Sequence, residues 1–500
     1  MLNMAVRNTN KLIREVAAKE NLRIGRFFSK KAEAFHMASL FTLPEKDEFS
    51  LLDAGAGTGI LSAAAVEALG ARAKEEGRIL RIHLTCYEND SVMLPMLYNN
   101  LERVRKRART LYGVRLFVTV KEEDFMQASE DTLFDLAVLN PPSALINPDS
   151  SLGVLEKLCQ GETDLSCLFA CKAYSLLSSD GQCAALLPTE LSTGVYLENI
   201  RTYLLSGALS HVVIADNGAR DALLSGKAAS AAPPFSKHMA LRLQKGAEQA
   251  KITVLSVNAK GECAESTSYE PSFIIRGEDH RLLLLRSREE EEVVRFVEAQ
   301  KETLSSLGLK MKTGLTLASR HASLLRGERG RDTVPLLRPS GIADGRILVP
   351  IGDGRDYIVP RIPSLRQPNK NLLLVKRVPT KKDGKQIVAA VYYASQLSPF
   401  SHISTDNKLN FIDYANGREM SMPMVLGLYA LFSSALYNRY LKITGGVRRV
   451  NASLYDTLPL PNEKMILEIG RALTLLRATS DRAIDATVTS VFRKYSASFR

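Results

Sequence analysis

The sequence predicts an α/β chain: a doubly wound, mostly parallel sheet in the first half, followed by a basic half of mixed α+β structure. Strand-like and helix-like segments alternate through residues 50–215 with short turns between them, the pattern of repeated β-α-β units. Composition agrees. With 500 residues, 45% hydrophobic and 24% charged, the chain can bury a sizeable core and divide into domains of roughly 100–200 residues. Disordered and fibrous classes are excluded.

The elements follow in order. Ser50–Ala54 closes a short apolar strand, and Gly59–Leu69 sets Ile60, Leu61, Ala64, Val66 and Leu69 at helical spacing. Ile79–Tyr87 reads as a strand, Val92–Val104 as a helix, Val114–Val120 as an alternating strand and Leu133–Leu139 as a buried strand. Then come helix Leu165–Leu177, the turn Asp180-Gly181, strand Cys183–Leu187, helix Leu197–Leu205 and strand Ser210–Ala215. Ligands of such a sheet bind beyond the carboxyl ends of its strands, so chemistry is expected just after them.

Ala228–Pro234 is a loop-like, low-complexity stretch, and the pattern loosens over Lys260–Arg276. An acidic helix is expected from Glu289 to Leu307. The domain boundary is therefore placed near 276, giving domains 1–275 and 276–500. The second contains short strands (Thr333–Arg338, Arg346–Ile351, Asn371–Val378, Ile387–Tyr393) and a helix from Met424 to Tyr440.

Charge divides with the domains. Residues 1–250 hold 28 Lys+Arg against 29 Asp+Glu, whereas 251–500 hold 38 against 25, so the whole net charge of +12 belongs to the second half. A surplus of 11 lies between 301 and 400, spread over Arg320, Arg326, Arg329, Arg331, Arg338, Arg346, Arg361, Arg366, Lys370, Lys376, Arg377, Lys381, Lys382 and Lys385. A neutral core joined to a basic half fits an enzyme that holds a polyanion. The six cysteines include no C-x-x-C pair; Cys167 and Cys171 share a helix face without a second pair at zinc spacing, so buried thiols and no metal are expected. No run of eighteen apolar residues occurs and residues 1–20 lack the apolar core of a secretory signal, so a cytoplasmic, non-membrane protein is expected.

Two motifs carry chemistry. In Asp53-Ala54-Gly55-Ala56-Gly57-Thr58-Gly59 a strand runs through small residues into a helix, so the loop can approach a ligand closely and aim helix N-terminal amides at it. Glu88, after the next strand, can accept from both hydroxyls of a ribose, and Asp124 and Phe125, after the third, can meet an adenine amino group and ring face. Together they fit one nucleoside lying across the sheet edge. The second motif is Asn140-Pro141-Pro142-Ser143, directly after the buried strand. The Asn140 side-chain oxygen and the Pro141 carbonyl can both accept from one planar NH2, which frees the nitrogen lone pair for attack; proline restricts the loop.

At these residues the chain resembles the gamma-class adenine-N6 DNA methyltransferases of restriction-modification systems, in motif order along the whole first half. The resemblance implies an S-adenosylmethionine-dependent, Rossmann-like methyltransferase domain at 1–275 and a DNA target-recognition domain at 276–500. Gly25-Arg26-Phe27-Phe28-Ser29 looks like the motif that closes over the methionine end of the cofactor, with Phe28 and Ser29 as contacts and Lys30 where a proline is common. Asp53, Gly55 and Gly57 look like its cofactor loop, Glu88 its ribose acid, Asp124 and Phe125 its adenine contacts, and Asn140, Pro141, Pro142 and Ser143 its catalytic motif, Asn140 also bordering the cofactor. Asn407–Phe411, Ala435–Tyr440, Gly445-Gly446, Val450-Asn451-Ala452 and Leu458–Pro461 are similar to the recognition half in order and spacing; Arg448 and Arg449 would grip phosphate.

One departure stands out: Ser143 replaces the aromatic that stacks on the target base. The expectation is a slower enzyme, another stacking aromatic such as Phe169 or Tyr196, or a degenerate copy. The function expected is transfer of a methyl group to adenine N6 in duplex DNA after base flipping, with double-stranded DNA and a cognate restriction endonuclease as partners. The alternatives are an impaired, non-catalytic relic that binds DNA or cofactor, and a methyltransferase for protein glutamine or RNA.

Overall fold

Nine strands form one sheet in the first half of the chain. They are β1 (Glu48–Ala54), β2 (Arg81–Tyr87), β3 (Arg115–Lys121), β4 (Phe134–Leu139), β5 (Leu177–Pro188), β6 (Ala208–Ala215), β7 (His238–Gln244), β8 (Ile252–Val257) and β9 (Cys263–Tyr269). Their order is β9-β8-β6-β7-β5-β4-β1-β2-β3. This computed structural model describes residues 1–20, 29–147, 149–224, 232–380, 383–445, 457–476 and 480–495. The chain forms two compact units, Met1–Ser287 and Arg288–Arg500. Residues 276–287 therefore belong to the first unit, where Arg201 donates to the Asp279 carbonyl.

Strands β1 to β5 run parallel, as doubly wound units do, but β7 is antiparallel to both its neighbours, β5 and β6. It is not among the expected strands, although Met239, Leu241 and Leu243 alternate with Ala240, Arg242 and Gln244; lying inside the sheet, it buries both faces from Met239 to Leu243. The result is the Rossmann-like α/β fold expected, mixed in strand direction rather than wholly parallel. Helices α1 (Leu2–Glu20), α2 (Lys31–Ser39), α3 (Ile60–Glu75), α4 (Leu94–Tyr112), α5 (Leu165–Ser175), α6 (Glu198–Leu204) and α7 (Asn217–Leu224) accompany these strands. Apolar faces of α3 and α4 close the core with Leu61, Ala65, Leu69, Leu97, Leu101 and Val104 against Leu51, Ile82 and Leu84. Four cysteines, at 86, 167, 171 and 183, are buried, while Cys263 is exposed.

The second unit begins with α8 (Arg288–Glu298), which stops well short of Leu307 because Glu302 leaves the helix to pair with Leu460 through two backbone hydrogen bonds of 3.1 and 2.7 Å. Its strands form a six-stranded and a five-stranded sheet. The single helix expected over 424–440 is two, α9 (Met422–Ser433) and α10 (Ala435–Ile443). Ser434 breaks it: extended at ψ 150°, its hydroxyl donates to the Leu431 carbonyl at 2.6 Å and accepts from Tyr437 N at 3.3 Å, capping the second helix. Among the described residues two further helices follow, α11 (Glu463–Leu476) and α12 (Asp481–Tyr495). Among the described residues no helix is long and apolar enough to cross a membrane.

Helices α9 and α11 cross with their backbones close together. Gly427 lies against the Ile466 carbonyl and Gly470 against the Pro423 carbonyl, so a Cβ at either position would strike backbone atoms that cannot swing aside. Gly427→Ala is expected to force the two helices apart and destabilise the second unit by roughly 1–3 kcal/mol; urea unfolding of the full chain measures the loss.

Candidate active site

Parallel pairing of β1 with β4 sets Asp53 opposite Val138. The glycine loop and Asn140-Pro141-Pro142 therefore leave the sheet side by side. A Cβ built on Gly55 would lie 3.8 Å from both Pro142 Cδ and Phe169 Cε1, so the two motifs are in van der Waals reach.

Asp53 is fully buried at the end of β1. Its Oδ2 accepts from the Ser62 amide at 3.1 Å and from the Ser62 hydroxyl at 2.5 Å, whereas its Oδ1 is buried without a partner. Burial is the largest influence on its carboxyl, which is pushed up to about 7 against the Ser62 hydrogen bonds that pull it down. Beyond Asp53, Gly55, Gly57 and Gly59 have φ of 78°, 57° and 79°, left-handed values that exclude most side chains. A Cβ on Gly57 would meet nothing within 4 Å, so the loop faces open space there.

Glu88 braces that loop. Its Oε2 accepts from Gly57 N at 2.7 Å and its Oε1 from Asp90 N at 2.8 Å, which leaves each oxygen a further lone pair. Asp124 is exposed, with Oδ1 accepting from Met126 N at 2.8 Å. Phe125 is only 2% exposed: its ring meets Tyr87 and Phe169, at 5.0 and 5.4 Å between centroids, and Lys172 Nζ lies 5.0 Å above it. Its ring face, expected to pack on an adenine, is thus committed to the core. Lys172 also holds this loop through the carbonyls of Phe125, Met126 and Ala128. That lysine, Ser62 and Asp164 were not singled out from sequence. Only Asp164 had a local signal, as a helix-capping residue before an apolar run.

In the second motif Asn140 is half-buried, Pro141 buried, Pro142 half-buried and Ser143 exposed. Asn140 Nδ2 donates to the Ser29 hydroxyl at 2.9 Å. Ser143 donates to Asp164 Oδ2 at 2.8 Å, and Oδ1 of the same carboxylate caps α5 by accepting from Ser166 N and Oγ at 2.9 and 2.6 Å. The serine at the departure from the family pattern thus ties its loop to a helix N-terminus. Of the two other aromatics considered, Phe169 is 6% exposed and wedged against Phe125, whereas Tyr196 is 67% exposed. It lies in the turn Val195–Leu197 after β5, whose carboxyl end is adjacent to that of β4. Arg201, 1% exposed, fixes that stretch by donating to the carbonyls of Leu191, Gly194 and Asp279. Residues 25–28, including Phe28, lie outside the described residues, as do Lys381, Lys382, 228–231 and 446–452 with Arg448 and Arg449.

The basic residues of the second unit are of two kinds. Arg338 is buried and pairs with Asp353 and the buried Asp356, which corrects its place among surface cations. Lys376 pairs with Asp383 and Lys385 with Asp481. Arg320, Arg331, Arg361 and Arg366 are exposed.

No family model matches the chain. It is similar to proteins named Type II methyltransferases. Type II methyltransferase M.PstI of Providencia stuartii is 26% identical over 479 residues, covering 91% of this chain and 92% of that protein. Type II methyltransferase M.BsuBI of Bacillus subtilis is 24% identical over 468 residues, covering 91% and 90%. Among solved structures, the type IIG restriction endonuclease BpuSI superposes with a TM-score of 0.45 at 12% identity, over 94% of this chain and 65% of that one.

Asp53 makes stability depend on pH. An unfolded aspartate titrates near 3.9, while the folded one titrates at about 7. The raised value means that the folded state keeps its proton as the unfolded chain loses it, so this group's contribution is greatest at low pH and falls as pH rises from about 4 to about 7. Asp53→Asn is expected to flatten that fall, by a few kcal/mol at most, in urea unfolding between pH 5 and 8.

Proposed function

We propose that the chain is a DNA methyltransferase that uses S-adenosylmethionine and modifies adenine N6. The observation that carries this reading is the placing of the glycine loop and Asn140-Pro141-Pro142 against one another at the ends of β1 and β4. Similarity to two Type II methyltransferases over nine-tenths of the chain supports it.

The residues fit the cofactor. The orphaned Asp53 Oδ1 is an acceptor awaiting a donor, such as the ammonium of a methionine moiety, and a cation there favours the ionised carboxylate. Gly55 and Gly57 keep the loop free of side chains, and Glu88, which braces the loop, would offer its remaining lone pairs to ribose hydroxyls. Asp124 is exposed and would take an adenine amino group; Phe125 packs against Tyr87 and Phe169 rather than stacking on the base. When bound, S-adenosylmethionine supplies an electrophilic methyl group on a sulfonium.

The chain's own work is to prepare the nucleophile. Asn140 Oδ1 and the Pro141 carbonyl accept both hydrogens of the target NH2, so its lone pair is withdrawn from the ring and can be aimed at the methyl. Pro142 stiffens the loop, and Ser143 holds it to Asp164. The amine becomes acidic once methylated, so its proton can pass to water. Because the target atom is paired within a duplex, the base is extruded, at a cost of roughly a few kcal/mol. Tyr196 supplies the stacking face that Ser143 cannot. The exposed arginines of the second unit neutralise phosphates. A restriction endonuclease with the same target is the natural companion of such an enzyme.

Tritiated-methyl transfer to unmethylated duplex DNA, followed by base analysis, tests the reading: label in N6-methyladenine supports it, and label absent from DNA defeats it. Asn140→Ala should lower transfer by at least about a hundredfold with cofactor affinity little changed. Tyr196→Ala should weaken use of DNA by roughly ten- to a hundredfold, the value of one base–aromatic stack, seen in kcat/KM for a duplex carrying the target.

A further inference from the structure

The two ends of the Asn140 amide are chemically opposite. Oδ1 accepts and Nδ2 only donates, so an NH2 facing Nδ2 would meet hydrogens with hydrogens. The torsion that sets the amide plane is soft. Its orientation must therefore come from whatever holds Nδ2.

That group is the Ser29 hydroxyl, 2.9 Å away and itself 9% exposed. Ser29 sits on a built anchor. The Glu33 carboxylate, 5% exposed, accepts from Lys30 N at 2.9 Å and from Phe235 N at 3.3 Å. Lys30 Nζ donates to the carbonyls of Ala232 and Pro233, at 2.5 and 3.2 Å. The stretch entering α2 is thus stitched to the stretch entering β7, and the residue before Lys30 inherits that rigidity. Lys30, unusual at its position, has a use here.

We propose that Ser29 is a positioning residue for Asn140: it fixes the amide plane and engages Nδ2, leaving Oδ1 for the substrate amine. Donation from Nδ2 also draws electron density toward Oδ1 and strengthens it as an acceptor. The role differs from cofactor contact, and it rests on the methyl-transfer reading above. On this role the hydroxyl acts at the chemical step and not in binding.

Steady-state methyl transfer to duplex DNA, with S-adenosylmethionine affinity measured separately by equilibrium binding, tests it on wild type, Ser29→Ala and Ser29→Thr. Ser29→Ala is expected to lower kcat by roughly tenfold or more. The loss should persist in kcat at saturating S-adenosylmethionine, the KM for DNA should stay within about threefold of wild type, and Ser29→Thr should recover most of the rate. An unchanged kcat, a loss confined to cofactor Kd, or equal losses in both variants overturns the role of the hydroxyl. Wild-type protein that transfers no methyl group to DNA overturns the function on which the proposal rests, and the proposal with it.

Discussion

The candidate site depends on one short piece of parallel pairing, Leu51 to Asp53 of β1 beside Leu136 to Val138 of β4. Hydrogen bonds between strand backbones fix that register, and a slip of one residue would turn Asp53 to the opposite face of the sheet, away from Ser62. Because the register holds, the chain leaving β1 and the chain leaving β4 emerge as neighbours. The same pairing buries a carboxylate, whose cost is met only in part by Ser62 on α3. One oxygen remains unsatisfied. Such a group calls for a partner, an ordered water, an ion or a ligand.

Four positions of the candidate site are each held by a hydroxyl or carboxylate from another element. Ser62 reaches Asp53 from α3, Glu88 reaches Gly57 from the end of β2, Ser29 reaches Asn140 from before α2, and Asp164 reaches Ser143 from the cap of α5. These links cross-brace two loops that contain five glycines and prolines among their named positions. The loops are open to ligand, yet they are not left to wander. Sites held in this way lose little entropy when the ligand arrives.

Most of this frame was legible because it is written locally. A glycine loop between strand and helix, and an Asn-Pro-Pro at a strand's end, each occupy fewer than ten residues. What was missed is non-local. Strand β7 alternates Met239, Leu241 and Leu243 with Ala240, Arg242 and Gln244, but its place between β5 and β6, which buries both faces, is set by its partners on both sides. The end of α8 is set by Leu460, far along the chain from Glu302. Arg338 counts as one more positive charge in a sequence, and only the fold brings Asp353 and Asp356 around it. Ser143 reads as a missing aromatic until Asp164 is placed beside it. The boundary between the units, near 276 by composition and at 287 in the structure, shifts because the segment beyond Arg276 packs on Arg201.

The position of β7 bears on how the first unit is made. Strands β5 and β6 precede it in the chain but are not neighbours; each bonds to β7, which enters between them antiparallel. Until Gln244 has left the ribosome, two apolar strands with unpaired edges have no native partner for those edges, an invitation to wrong pairings. The sheet therefore closes from its middle and late. A chain truncated before His238 would lack the one strand that covers both of those edges.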